Sequence, residues 1–91
     1  MKDIEYAETM ALKAVQFILA DNRILENFVV ASGILPEDFR NLIKTSDFLA
    51  GVLDFLLDNE EQLIEFCSQY KIAPDDPAKA RRSLPGAIRE F

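Results

Sequence analysis

Side chains that move protons, hold metals or attack electrophiles are scarce in this chain. It contains no histidine, so the commonest general base and zinc ligand is missing. Its one cysteine, Cys67, follows Phe66 on what reads as an apolar helix face. A lone thiol in that setting is expected to be a small buried hydrophobe, and it cannot build a structural zinc site. The three glycines are isolated, so no glycine-rich phosphate loop is present. We expect no catalytic residue, no metal and no cofactor.

The polar side chains that remain form two groups. Asp47, Asp54 and Asp58 recur at spacings of seven and four, which places them on one line of a helix. The line spans roughly 16 Å at 1.5 Å per residue, too far for one cation to bridge. It could face solvent, receive a basic segment of a partner, or receive arginines from the end of the chain. Lys79, Arg81 and Arg82 are the only basic cluster. They suit the negative end of a helix, the acidic body, or an anionic partner.

Charge excludes one class of partner. Residues 1–70 carry five basic and thirteen acidic side chains, a balance of −8, and residues 71–91 carry five and three, a balance of +2. Nucleic-acid binding rests on neutralising phosphate, so a net charge of −6 argues against it. Residues 25–44 could pass for a helix-turn-helix with Gly33 in the turn. Its second helix opens Pro36-Glu37-Asp38, which would aim carboxylates at the groove.

The helix that carries the acidic line organises the rest. From Phe48 to Leu57 every position off that line is apolar, and Gly51 falls on the line. A helix apolar around most of its circumference must be covered on most sides, so residues 46–58 are expected to be the centre of a bundle. Ninety-one residues suffice for one small domain. No stretch alternates with period two, and the prediction is all-α: five helices plus a short sixth in a single domain. Residues 1–86 form the expected folded core and 87–91 a tail, whose Ile88 and Phe91 either dock or await a partner.

The boundaries follow from caps and breakers. The first helix should cover residues 3–20 and bury Ile4, Ala7, Ala11, Ala14, Val15 and Ile18, with Tyr6, Met10 and Phe17 widening that face. Asp21 is a candidate N-cap for a helix from Asn22 to about Ser32. That helix buries Leu25, Phe28 and Val29, with Ile24 at the margin. Gly33 fits a left-handed C-terminal cap. Pro36 starts a third helix, which buries Phe39, Leu42 and Ile43 and stops near Lys44. Thr45 or Ser46 caps the central helix. Asp58 is expected to cap a helix over 59–70 that buries Leu63, Ile64, Phe66 and Cys67. Pro74-Asp75-Asp76-Pro77 opens the short sixth helix, which ends near Leu84, and Pro85-Gly86 terminates it.

Residues 17–38 align without a gap onto residues 55–76. Seven of the twenty-two positions are identical: Phe17/Phe55, Leu19/Leu57, Leu25/Leu63, Phe28/Phe66, Ile34/Ile72, Pro36/Pro74 and Asp38/Asp76. They fall on expected core and cap positions, which predicts two pseudo-repeated units closed on one another. In this register Gly51 replaces Lys13. Glycine inside a helix costs about 1 kcal/mol relative to alanine, so a backbone packed close to Gly51 is expected.

The runs Phe17-x-Leu19-Ala20-Asp21, Gly33-Ile34-x-Pro36-x-Asp38, Phe48-Leu49-Ala50-Gly51-Val52-Leu53-Asp54-Phe55-Leu56-Leu57 and Arg81-Arg82-x-Leu84-Pro85-Gly86 resemble a small, mostly alphaproteobacterial family of unknown function, domain of unknown function family 3572. The resemblance covers nearly the whole chain, and the ten-residue central run is its most specific part. It implies a compact helical cytoplasmic protein and brings no catalytic residue, substrate or cofactor.

The remaining expectations concern setting and role. One cysteine allows no internal disulfide and fits a reducing cytoplasm. The opening Met-Lys-Asp-Ile-Glu lacks the pattern of a signal peptide, and no uncharged apolar run reaches the roughly 18 residues of a membrane span. The first functional reading is a non-enzymatic protein-interaction or scaffold module, with a homodimer allowed because a core this small is marginal alone. The alternative is a small apolar ligand held in a pocket between the two units.

Overall fold

In a computed structural model, which describes residues 2–84, the chain folds into α1 (Lys2–Leu19), α2 (Asn22–Ser32), a 3-10 turn (Pro36–Asp38) running into a four-residue α3 (Phe39–Leu42), α4 (Ser46–Leu57), α5 (Glu60–Tyr70) and α6 (Asp76–Arg82). The described residues are helical and contain no strand. The expected all-α bundle is therefore the observed one. The third helix is shorter than predicted, because the chain tightens to 3-10 geometry behind Pro36.

α4 is the centre. Phe48, Leu49, Ala50, Val52, Leu53, Phe55 and Leu56 are buried, while Asp47, Gly51, Asp54 and Asp58 are exposed. The line read from the spacing is the line that faces solvent. Thr45 starts the helix, its hydroxyl oxygen accepting from the Phe48 N–H at 3.2 Å. α1 lies across α4 and α6. Its face of Ala7, Ala11 and Ala14 is fully buried, and side chains this small leave room for close helix approach. Ile4 and Tyr6, expected on that face, are exposed instead.

The two inter-helix turns are built alike. Asp21 caps α2, its Oδ1 accepting from the N–H of Arg23 and Ile24. Gly33 ends α2 at φ +76°, donating its N–H to the Val29 carbonyl at 2.8 Å. Thirty-eight positions on, Asn59 stands before α5 and Lys71 ends it at φ +56°, donating to the Cys67 carbonyl. Glycine accepts the left-handed region at little cost, whereas a lysine there carries Cβ strain.

One expectation at these turns fails. Asp58 does not cap α5; it closes α4 with its N–H on the Asp54 carbonyl. Asn59 takes the capping position without a side-chain cap bond. Its amide turns back and donates to the Phe55 carbonyl at 2.7 Å, satisfying one of the orphan acceptors at the end of α4.

One apolar cluster fills the centre. The Phe28 ring meets Phe39, Phe48 and Phe55 edge-on, with centroids 5.2–6.1 Å apart. Phe66 meets Phe17 at 5.5 Å and Tyr70 at 5.1 Å. Ile24 is deep in the core rather than at its margin, and Leu25 is only half-buried. Ile64, expected inside, is 57% exposed.

Candidate functional site

The acidic line and the basic cluster meet at one point. α6 packs against α4 and brings Arg81 over Asp54. Arg81 Nε donates to Asp54 Oδ1 at 2.6 Å and Nη2 to Oδ2 at 3.2 Å. Nη1 also donates to the Leu84 carbonyl at 3.3 Å. The fork is bidentate, the strong geometry for this pair. The Arg81 side chain is 13% exposed and that of Asp54 50%, so the contact is shielded on the arginine side only. Its chemistry is that of a clasp between α6 and α4.

The remaining predicted site residues are not brought together with it. Asp47 and Asp58 are exposed at the two ends of α4. Lys79 and Arg82 are exposed and line a shallow depression with Asp3, Tyr6 and Ser83. Although the Tyr6 side chain is half exposed, partial desolvation of its hydroxyl, and then a hydrogen bond to Asp76, raise that group above its ordinary range. Ile88 and Phe91 lie outside the described residues.

Cys67 is buried. Burial, with Asp76 nearby, pushes its thiol above the usual value, the opposite of what an activated nucleophile needs. Among the described residues no group of three or more Cys, Asp or Glu is placed to hold a metal ion. The stretch that could imitate a helix-turn-helix ends in a 3-10 turn with Glu37 and Asp38 exposed, followed by only the four-residue α3.

Gly51 overturns its expectation. A Cβ placed on it meets nothing within 4 Å, so no backbone packs there. The physical reason was present in the spacing. Gly51 shares the outward line of Asp47, Asp54 and Asp58, and an outward glycine has no neighbour to admit.

Besides the depression at Tyr6, the described residues line larger or more apolar grooves, three of which bear on function. The first, of about 580 Å³, runs between the α1–α2 turn and α5 and is lined by Phe17, Ala20, Asp21, Ile24, Ile64, Glu65, Ser68 and Gln69. The second, of about 280 Å³, has the corresponding place beside the α4–α5 turn, with Phe28, Ala31, Ser32, Gly51, Phe55, Asp58 and Asn59. The third, of about 530 Å³, separates the end of α1 from α3 and holds Leu19, Pro36, Phe39 and Ile43. Leu19 is 46% exposed. Sequence reasoning missed these grooves. The available signal was the apolar excess on α1, where Leu12 and Leu19 fall outside the expected buried face.

Residues 4–87 match the family described as protein of unknown function (DUF3572). No curated protein and no solved structure matches the chain.

Proposed function

This chain belongs to the family described as protein of unknown function (DUF3572), and from that premise we propose that it is a non-enzymatic protein-interaction module. One observation carries the reading: aliphatic side chains that the bundle could have buried, Leu19 and Ile64, stand exposed on the walls of open grooves. Exposed apolar surface beside a concave wall is what a partner covers. The raised Cys67 thiol and the engaged Asp54–Arg81 pair supply no activated group to accompany it. The acidic balance disfavours nucleic acid as the partner. No helix among the described residues is long and apolar enough to cross a membrane. The reading assigns the protein to the cytoplasm, with another protein or a second copy as partner.

The same proposal includes the internal repeat. Phe17 packs on Phe66, and Phe55 packs on Phe28. Shifting each residue by the offset of 38 turns one pair into the other, as a two-fold relation between residues 17–38 and 55–76 requires.

The test is affinity capture from the native cell with the wild-type chain, Leu19→Glu and Ile64→Gln, each first shown to keep its helical circular dichroism. At least one variant should lose partners that the wild type retains, or lower a mass above 10.3 kDa in light scattering. Identical partner sets and identical masses for all three folded chains would defeat the reading.

A further inference from the structure

We propose that the groove between the α1–α2 turn and α5 is a docking site for a basic amphipathic helix of another protein, an assignment that rests on the interaction reading above. Its floor is apolar: Phe17, braced edge-on by Phe66, and Ile24. Its wall adds Ile64, the exposed aliphatic on a helix whose outer positions are otherwise polar. A floor and wall of this kind accept the aliphatic anchors that a helix presents at i, i+3 and i+4. A volume of about 580 Å³ accommodates more than one such anchor.

Charge selects among occupants. Two carboxylates, Asp21 and Glu65, belong to the lining, and no lysine or arginine does. Glu60 and Glu61 precede Glu65 on α5, which contains no basic residue. Arg23, on α2, lies 3.9 Å from Asp21 and is turned to solvent. Asp21 Oδ1 is held by its cap, so Glu65 and Glu61, flanking Ile64, supply the attraction. Lysines or arginines placed one turn from the anchors would meet them. A second copy would bring another net −6, which opposes self-association here.

The corresponding groove on the other unit is a built-in control. It is smaller, about 280 Å³, and no exposed large aliphatic lines it. The groove beside Leu19 carries Arg40 in its lining, which opposes a basic helix, so binding of such a helix is expected once per chain.

The probe is a synthetic amphipathic helix of leucine and lysine, compared with a scrambled peptide of the same composition and with a leucine–glutamate helix. Titration calorimetry on the full chain should give one site for the leucine–lysine helix, at least tenfold tighter than for the scrambled peptide, with no binding of the acidic helix. Ile64→Gln and Glu65→Lys should each weaken it at least fivefold, and Ala31→Gln in the second groove should leave it unchanged. Equal binding of the scrambled peptide, insensitivity to both α5 variants, or a mass near twice 10.3 kDa that Ile64→Gln abolishes would each overturn the assignment. If the peptide fails while Leu19→Glu still strips partners in capture, the groove is wrong and the interaction reading stands. If both fail, neither survives.

Discussion

At Asp21 and again at Asn59 the chain leaves one long helix and starts another, and at Gly33 and Lys71 it leaves that second helix through a left-handed residue. Up to this point residues 17–38 and 55–76 behave alike. They then part. After Pro36 the chain makes a 3-10 turn and four helical residues, and a groove stays open beside Leu19. After Pro74 it forms α6, which lies on both α1 and α4 and is clasped by Arg81 to Asp54. Thirty-eight positions before Arg81 stands Ile43, and thirty-eight before Asp54 stands Gln16. The segment after Pro74 is fastened by a charged pair, and the one after Pro36 leaves the Leu19 side open. The difference teaches that similar turns can lead into unlike final segments, one that covers its neighbours and one that leaves a groove open.

The core aromatics break this comparison hardest. Phe28→Ala and Phe66→Ala should each cost about 3–5 kcal/mol. Phe28 should be the costlier, because it holds three ring neighbours against two for Phe66. Urea denaturation followed by circular dichroism measures both, and a milder loss for Phe28 would show that the first unit is the looser one. The clasp comes next. Arg81→Ala should cost about 1–2 kcal/mol, through a lost bidentate contact and lost packing of a mostly covered stem. Ile43→Ala in the open unit should leave α6 in place. Amide exchange on α6 reads the distinction: faster in the first variant and unchanged in the second.

The caps sharpen the likeness. Gly33→Ala should destabilise by about 1 kcal/mol, whereas Lys71→Gly should stabilise by up to about 1 kcal/mol, because only the lysine now bears the left-handed strain. Opposite signs in paired thermal melts are the expected result. Gly51→Ala is the smallest change, a stabilisation of about 0.5–1 kcal/mol, since nothing approaches its Cβ. A lower melting temperature would reinstate the close contact that the structure removes.

Much of this architecture is legible in the residues. The central helix is readable because its polar positions fall on one line and nothing else in it tolerates water. Asp21, Gly33 and Thr45 are readable because each side chain, or its absence, suits one backbone geometry. Lys71 is not, since lysine has no preference for the left-handed region and only the offset from Gly33 hints at it. Asp58 and Asn59 mislead because both residue types cap helices, and the choice depended on which carbonyl was left unpaired. Ile64 misleads for a different reason. Its periodicity matches a buried face, but α5 packs chiefly on α4 and α1, and among the described residues no helix covers its outer side. The grooves follow from such edges and so required the packed structure to be seen.

The proposed two-fold relation between residues 17–38 and 55–76 is tested most directly by two double-mutant cycles, one on Phe17 and Phe66 and one on Phe55 and Phe28, with leucine replacing each ring. The account predicts coupling of about 0.5–1.5 kcal/mol in both, alike to within about 0.5 kcal/mol. Coupling in one pair and none in the other would contradict it.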